Sequence, residues 1–226
     1  MRRKLIRFEE NQSNPYVLEP KRTEYSGIKH GWRKHFPTGP IVLELGAGRG
    51  EYTVGLAKQS LGTNFIGIDI KGERLWHGAN LAREAAMTNV LFLRAYIDHI
   101  AELFPKRSVS EIWITFPAPF PKKKQAKKRL THRNFLQKYA KILKPKGLIH
   151  LKTDSAELYA STLSELAADP LATITAQTTD LYQSTITGAP KAFQTHFEQR
   201  YLAQGKPIHY LAFHYRPRRF FAFLPW

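Results

Sequence analysis

A glycine-rich turn flanked by two carboxylates is the first group of residues whose types and spacing could do chemistry. Glu44 precedes Gly46, Gly48 and Gly50 in the order E-x-G-x-G-x-G, and Asp69 follows nineteen residues after Gly50. Glycines at a turn between a strand and a helix allow positive φ and let a ligand approach the backbone. The start of the following helix carries positive partial charge, which suits a carboxylate as well as a phosphate.

The two carboxylates indicate which ligand this turn binds. Its spacing differs from the G-x-G-x-x-G of dinucleotide-binding folds, while Asp69 has the position from which an acid accepts both hydroxyls of a ribose. Glu44 would repel a pyrophosphate but attract an ammonium or sulfonium group. The pattern therefore favours S-adenosylmethionine over NAD. A site for NAD or another nucleotide, or a turn that only packs, remains as an alternative.

A second group combines aromatic, proline and cationic residues in the stretch WITFPAPFPKKKQAKKRLTH, residues 113–132. Proline fixes φ and biases the preceding residue toward extended conformations, so the stretch predicts a stiff loop at the end of a strand. Phe116 or Phe120 would lie beside the positive charge, which suits a base on a phosphate backbone. A solvated charged face is the alternative. The six cations are Lys122, Lys123, Lys124, Lys127, Lys128 and Arg129.

The composition indicates the class of partner. The 226 residues carry a net charge of +17, from 35 Lys and Arg against 18 Asp and Glu, which favours nucleic acid first and an anionic membrane second. No apolar run has the length of a spanning helix, and the N-terminus lacks an apolar signal core. The chain has no cysteine, which excludes disulfides and thiolate sites and favours the cytoplasm, where RNA is as available as DNA. The nine histidines lack metal-ligand spacing, so no metal site is predicted.

The elements that must position these residues alternate along the chain. Apolar runs typical of buried strands occupy residues 41–45, 64–70, 89–95, 111–117 and 148–154, with helical patterns between them. Thr131 is predicted to cap a helix that ends at Pro145, and Ser155 a helix to about Ala168. After Pro170, residues 172–182 and 209–215 alternate as an antiparallel pair would. This order predicts an α/β fold with a mostly parallel, doubly wound sheet.

Two terminal segments flank this domain. Residues 1–38 show no sustained period, so we expect a basic N-terminal arm that is either a solvated tail or orders on RNA. Residues 39–226 are expected to form a single domain with an aromatic and basic C-terminal tail whose aromatic residues pack onto the body.

Five segments together resemble the tRNA (guanine-N7)-methyltransferases in order and spacing: ELGAGRGEY, FIGIDI, ITFPAPFPKKKQAKKRLTH, LIHLKTD, and the T-x-x-E of residues 195–198 followed by GKPIHYL. The resemblance covers about residues 40–215. It implies a Rossmann-like methyltransferase fold, with a seven-stranded, mostly parallel sheet and a C-terminal antiparallel pair. It also implies S-adenosylmethionine as methyl donor, and a guanosine in the variable loop of tRNA as substrate, rather than DNA or a membrane.

The resemblance assigns roles to individual residues. Its cofactor-binding positions are Glu44, Gly46, Gly48, Gly50, Asp69, Tyr96 and Ala118. Its substrate-binding positions are Lys122, Asp154, Thr195, His196, Phe197 and Glu198, and its catalytic positions are Ala118 and Asp154. Three residues depart from the family pattern: Ala118 replaces an acid, Phe120 replaces a tryptophan, and Tyr96 replaces an acid, with Asp98 two positions on.

The chemistry of guanine N7 explains why Ala118 matters. N7 carries a lone pair and no proton, so its attack on a sulfonium methyl needs no general base. An enzyme helps by aligning the reacting atoms and by placing a carboxylate or aromatic face where positive charge develops. Ala118 supplies neither, which leaves the acids Asp154 and Glu198, and Phe116 or Phe120 for stacking.

We therefore expect a weakened enzyme that retains part of its cofactor and tRNA binding. A tRNA-binding protein of the same fold without catalysis, and a methyltransferase of another RNA, are the alternatives. His132 and His150 are predicted to be cap or core residues rather than catalysts.

Overall fold

The computed structural model describes residues 2–20 and 22–217, without the side chains of Arg2 and Arg3. The C-terminal tail predicted from the sequence lies outside these residues from position 218 onward. The strands are β1 (Val17–Leu18), β2 (Ile41–Leu45), β3 (Asn64–Asp69), β4 (Val90–Arg94), β5 (Val109–Thr115), β6 (Leu143–Thr153), β7 (Ala172–Thr178) and β8 (His209–Tyr215). The α-helices are α1 (Arg2–Ser13), α2 (Ile28–His35), α3 (Glu51–Gln59), α4 (Gly72–Glu84), α5 (Ile100–Leu103), α6 (Arg133–Ile142), α7 (Ala156–Ala167), α8 (Ala189–Ala192) and α9 (His196–Ala203). Short 3₁₀ helices occupy Thr23–Tyr25, Ile97–His99 and Lys123–Lys128.

One mixed sheet, of eight strands in the described part of the chain, runs in the order β1-β4-β3-β2-β5-β6-β8-β7. β1 through β6 pair in parallel, whereas β8 is antiparallel to both β6 and β7. This confirms the predicted α/β fold with its C-terminal antiparallel pair. The strand order reverses between β2 and β5, and ligands bind at such a point in open α/β sheets.

The N-terminal segment differs from the predicted arm. α1 packs on α4, and the Asn11 side chain donates to the Gly72 carbonyl over 2.8 Å. β1 adds an eighth strand to the sheet, with Val17 opposite Phe92 of β4. Trp32 of α2 is buried and stacks on Phe104 with ring centroids 4.8 Å apart. Single buried anchors separated by polar residues give no period, which is why the sequence pattern did not show this structure.

Hydrophobic layers cover both faces of the central strands, as the continuous apolar runs predicted. Leu43, Ile112 and Ile149 belong to one layer, and Tyr52 and Trp113 to the other. Parallel strands place their carboxyl ends at one edge. The residues that follow β2, β3, β5 and β6 therefore meet there.

Helix starts agree with the sequence in one case and differ in another. The Ser155 side chain accepts from the Leu158 amide over 3.2 Å, which confirms the predicted cap of α7. α6, however, begins at Arg133 and is capped by His132 rather than Thr131. The Thr131 hydroxyl instead lies 2.7 Å from that of Thr162 in the core, so it is not available to the helix end. Over the described residues, no helix is long and apolar enough to cross a bilayer.

Candidate functional site

A pocket of about 350 Å³ opens at the reversal point of the sheet, beyond the carboxyl ends of β2 and β5. Its walls include the end of β2 with the glycine turn that follows, and the end of β5 with the proline loop (residues 116–122) that follows. The segment after β6, the start of α3, α9 and the Arg74 side chain of α4 complete them. Lining residues from these segments include Glu44, Gly46, Gly48, Thr115, Phe116, Ala118, Asp154, Thr195 and Phe197.

The glycine turn is fixed by bonds to β3. The amides of Gly46 and Ala47 both donate to the Ile68 carbonyl, and the Gly48 amide donates to Asp69 Oδ2 over 3.0 Å. Gly50 has a φ of 71°, and a Cβ there would collide with the Phe92 ring. This glycine is therefore required for packing as well as for conformation.

Asp69 keeps hydrogen-bonding capacity despite these bonds. Its Oδ1 accepts from the Lys71 amide over 2.9 Å, and its Oδ2 from Gly48. Each carboxylate oxygen has two lone-pair sites, so both oxygens still accept a further donor. A ribose diol supplies two such donors.

Glu44 lies at the inner wall of the pocket with only 4% of its surface exposed. Its carboxylate accepts from the amide and hydroxyl of Thr53 and from the Thr115 hydroxyl at 2.5 Å. Burial raises the pKa of Glu44 to about 7, although these hydrogen bonds oppose the change, and Asp69 adds a small repulsion. A buried carboxylate of this kind gains from a cation placed beside it.

The proline loop is held in an unusual conformation by one buried cation. Phe116 and Phe120 have φ values of 47° and 43°, a region that bulky residues rarely occupy. Arg129 is only 9% exposed, and its guanidinium also meets the Ser161 hydroxyl at 2.5 Å. It donates to the backbone carbonyls of Pro119, Phe120 and Pro121. Arg129 thus differs from the exposed cation that the charge run predicted, because the loop's unpaired carbonyls surround it.

The other five cations of the run are exposed on and beside the 3₁₀ helix Lys123–Lys128. Within the described residues, none of them forms an ion pair. Their charge is therefore available to a polyanion. These residues, Lys122, Lys123, Lys124, Lys127 and Lys128, are called the lysine surface below.

A buried ion pair positions the segment that carries the predicted substrate residues 195–198. Lys152 and Glu198 are both fully buried, with Lys152 Nζ 2.7 Å from the Glu198 carboxylate and 2.7 Å from the Pro190 carbonyl. Burial lowers the pKa of Lys152, and Glu198 opposes that change. Thr195 and Glu198 also form a capping box at the start of α9. The Glu198 carboxylate is therefore engaged inside the fold rather than facing the pocket.

The remaining predicted residues fall into two groups. Asp154, partly exposed, and Ala118, exposed, line the pocket together with Phe116, whose ring lies 5.9 Å from that of Tyr201. Tyr96, by contrast, is 62% exposed and lines a neighbouring cleft.

The structure separates four further predicted residues from the pocket. His196 is exposed, and Lys122 and Phe120 flank the pocket on the proline loop without lining it. Asp98, two positions beyond Tyr96, pairs with Lys138 at 2.9 Å.

The predicted cap and core positions of the two histidines are confirmed, and two residues at or beside the pocket were missed. His132 caps α6, and His150 is a core residue that stacks on Trp113 with centroids 4.0 Å apart. Neither Lys152 nor Arg74 was predicted from the sequence. A lysine inside the apolar run LIHLKTD was the available signal for Lys152.

The described part of the chain holds no cluster of three or more His, Asp or Glu suited to a metal ion.

Comparison with known proteins identifies relatives of this chain. The family described as "Putative methyltransferase" matches residues 38–211. The chain is 45% identical to the tRNA (guanine-N(7)-)-methyltransferase of Christiangramia forsetii, over 93% of this chain and 96% of that protein. It is 38% identical to the protein of the same name from Cytophaga hutchinsonii, over 96% and 99% of the two chains.

The fold has relatives among solved structures as well. The crystal structure of the 16S rRNA methyltransferase KamB superposes with a TM-score of 0.60 at 14% identity, over 86% of this chain and 93% of that one. At that identity the likeness concerns the fold alone. The family match and the two sequence relatives together show that this chain belongs to the family of the tRNA (guanine-N7)-methyltransferases.

Proposed function

We propose that this protein transfers a methyl group from S-adenosylmethionine to N7 of a guanosine in tRNA. The reaction would take place in the cytoplasm, and the guanosine would lie in the variable loop of the tRNA, as the resemblance implies. One observation carries the proposal. The pocket has a buried carboxylate, Glu44, at its inner wall, and its rim continues along the chain into the lysine surface. The names of the relatives from C. forsetii and C. hutchinsonii support the same reaction.

The residues present fit the methyl donor. Glu44 would hold its ammonium group, and Asp69 would accept from the two ribose hydroxyls. The glycine turn between them leaves backbone open to the pocket. When bound, S-adenosylmethionine supplies an electrophilic methyl group on a sulfonium centre.

The chain's own groups then act on the base. Asp154, which lines the pocket, would accept from the N1–H and amino group of guanine and oppose the charge that develops on the ring. Phe116 offers an aromatic face at the same opening. Because N7 carries no proton, orientation and charge stabilisation are the whole task of these residues.

Ala118 favours a second candidate, a tRNA-binding protein of this fold with little or no catalysis. It is exposed at the pocket where the family acid is expected, and it brings no charge. A methyltransferase of another RNA is a third candidate, because the lysine surface recognises any phosphate backbone.

Incubation with isotope-labelled S-adenosylmethionine and bulk tRNA separates these candidates. Nuclease digestion followed by mass spectrometry is expected to show labelled 7-methylguanosine, and mapping is expected to place it in the variable loop. Binding of tRNA without any labelled nucleoside would favour the second candidate. A parallel incubation with ribosomal RNA tests the third, which label in that RNA and not in tRNA would favour.

A further inference from the structure

A second groove continues the pocket on the side away from the proline loop. Its volume is about 420 Å³, and it is lined by α1, the glycine turn, the first half of α4 and the start of α9. Its principal side chains are Arg7, Arg49, Arg74, Trp76, His77 and Phe197. Arg49, Arg74 and Phe197 line the pocket as well, so the two spaces are continuous.

The groove carries free positive charge. Arg7 and Arg74 are exposed, and neither forms an ion pair within the part of the chain that the structure describes. Arg49 pairs with Glu51 at 3.2 Å. The groove also contains Glu73, whose carboxylate is 3.6 Å from Lys4 Nζ. Two guanidinium groups therefore remain for an anion.

Aromatic rings lie beside these arginines in the groove. The Arg7 guanidinium lies over the Trp76 ring, 4.8 Å from its centroid, and Glu10 accepts from the indole N–H. Phe197 is 44% exposed at the boundary between groove and pocket. RNA bases stack on aromatic rings and on arginine planes, while arginines bind phosphates.

We propose that this groove binds the phosphate and base of the nucleotide next to the methylated guanosine. The proposal rests on the proposed function, because it needs a guanosine in the pocket. The lysine surface then binds the RNA backbone on one side of that guanosine and the groove binds it on the other. Phe197 is placed to stack on the neighbouring base, and Arg7 and Arg74 to contact its phosphate.

The charge part is tested with the double variant Arg7→Gln/Arg74→Gln. The matched control is Lys58→Gln/Arg83→Gln, which removes two exposed charges elsewhere on α3 and α4. For the groove variant, tRNA affinity is expected to fall about tenfold, and the slope of log K against log salt by about 1.4. The KM for tRNA rises with the dissociation constant, while the affinity for S-adenosylhomocysteine measured without RNA stays unchanged.

Two results would overturn this proposal. One is an equal loss of tRNA affinity in the groove and control variants. The other is a loss of S-adenosylhomocysteine affinity with normal tRNA binding, which would make the groove part of the cofactor site. Failure of the proposed function has a different signature, since the unaltered protein would then produce no 7-methylguanosine.

The stacking part is tested with Phe197→Ala beside Leu61→Ala, which removes an apolar side chain that is 81% exposed elsewhere. Phe197→Ala is expected to weaken binding of intact tRNA about tenfold. That loss should vanish on tRNA with an abasic residue beside the target guanosine. An undiminished loss on abasic tRNA would contradict stacking by Phe197.

Discussion

At the level of single residues, two opposing effects determine the pKa of Glu44. It is buried among Thr53 and Thr115, whose hydrogen bonds support the charged form, yet burial dominates and raises its pKa to about 7. A carboxyl group with a pKa in this range changes its charge near neutral pH. A cation bound beside it would shift the balance to the ionised form.

The affinity for S-adenosylhomocysteine is therefore expected to depend on pH through Glu44. Below about pH 7 the carboxyl is protonated and loses its attraction for the ligand's ammonium group, so affinity falls as pH falls. Above that value the ionised form binds at full strength. Calorimetric titration from pH 5.5 to 8.5 measures the change. Glu44→Gln should bind weakly with little dependence on pH; an unchanged pH profile in this variant would remove Glu44 from the ligand site.

Ala118 is the residue that is expected to limit the rate of methyl transfer. Restoring the acid by Ala118→Asp places a carboxylate at the pocket, which is expected to raise the single-turnover rate of methyl transfer by about two to three orders of magnitude. Ala85→Asp, on the exposed surface after α4, is the matched control for the added charge. Equal rates for Ala118→Asp and the unaltered protein would show that this position does not limit the reaction.

Buried cations organise the irregular elements around the site. Arg129 satisfies the carbonyls of the proline loop, and Lys152 joins β6 to the segment that contains α8 and α9. Beyond the strand ends the sheet supplies no backbone partners, so charged side chains take that role. The proline loop and α9, which line the pocket, are thereby held in place.

Removing one member of the Lys152–Glu198 pair is expected to be costly. Lys152→Met leaves the Glu198 carboxylate buried without its partner, which should lower the free energy of unfolding by about 3–5 kcal/mol. The apolar double variant Lys152→Met/Glu198→Leu should recover much of that loss. Denaturant unfolding measures both, with Lys58→Met as a surface control expected within about 0.5 kcal/mol. A double variant less stable than Lys152→Met would contradict a cost that arises from an unpaired charge.

Sequence patterns predicted the elements whose signals are local. The apolar runs located the parallel strands, alternation located β7 and β8, and Ser155 located the start of α7. β1 was missed because two residues cannot show a period, and its partner β4 is more than 70 positions away. Arg129 and Lys152 could not be assigned for a related reason. A cation in a charge run resembles its exposed neighbours, and only tertiary contacts distinguish it.

The candidate site was predictable to a similar degree. Glu44, Asp69 and Asp154 lie at or just beyond the carboxyl ends of strands that meet at one edge, so their shared edge followed from topology. Glu44 and Asp154 line the pocket, and Asp69 accepts from the amide of Gly48 in its wall. The ion pair between Glu198 and Lys152 could not be predicted from topology, because it depends on how α9 folds back onto β6.

At the scale of the whole molecule, exposed cations flank the pocket on two sides. The lysine surface continues one rim, and the groove with Arg7 and Arg74 continues the other. A single nucleotide in the pocket would thus have cations on both sides along the RNA backbone.

Binding of tRNA is consequently expected to weaken steeply with salt. The triple variant Lys122→Gln/Lys123→Gln/Lys124→Gln should reduce the slope of log K against log salt by about 2–3 and weaken binding across tRNA sequences. Lys58→Gln/Arg83→Gln/Lys106→Gln removes equal charge from exposed positions elsewhere. Fluorescence anisotropy over a salt series gives both slopes, and a salt-insensitive affinity would contradict an RNA-binding surface.

Methyl transfer to N7 of guanosine requires that nitrogen, so a tRNA in which the atom is replaced should not be methylated there. One tRNA transcript is made with guanosine and a matched transcript with 7-deazaguanosine, in which N7 becomes a carbon. Both are incubated with the protein and isotope-labelled S-adenosylmethionine, and incorporation is measured by mass spectrometry. Label is expected in the guanosine transcript and not in the 7-deazaguanosine transcript. Equal labelling of both transcripts, or labelling of neither, would contradict the assigned reaction.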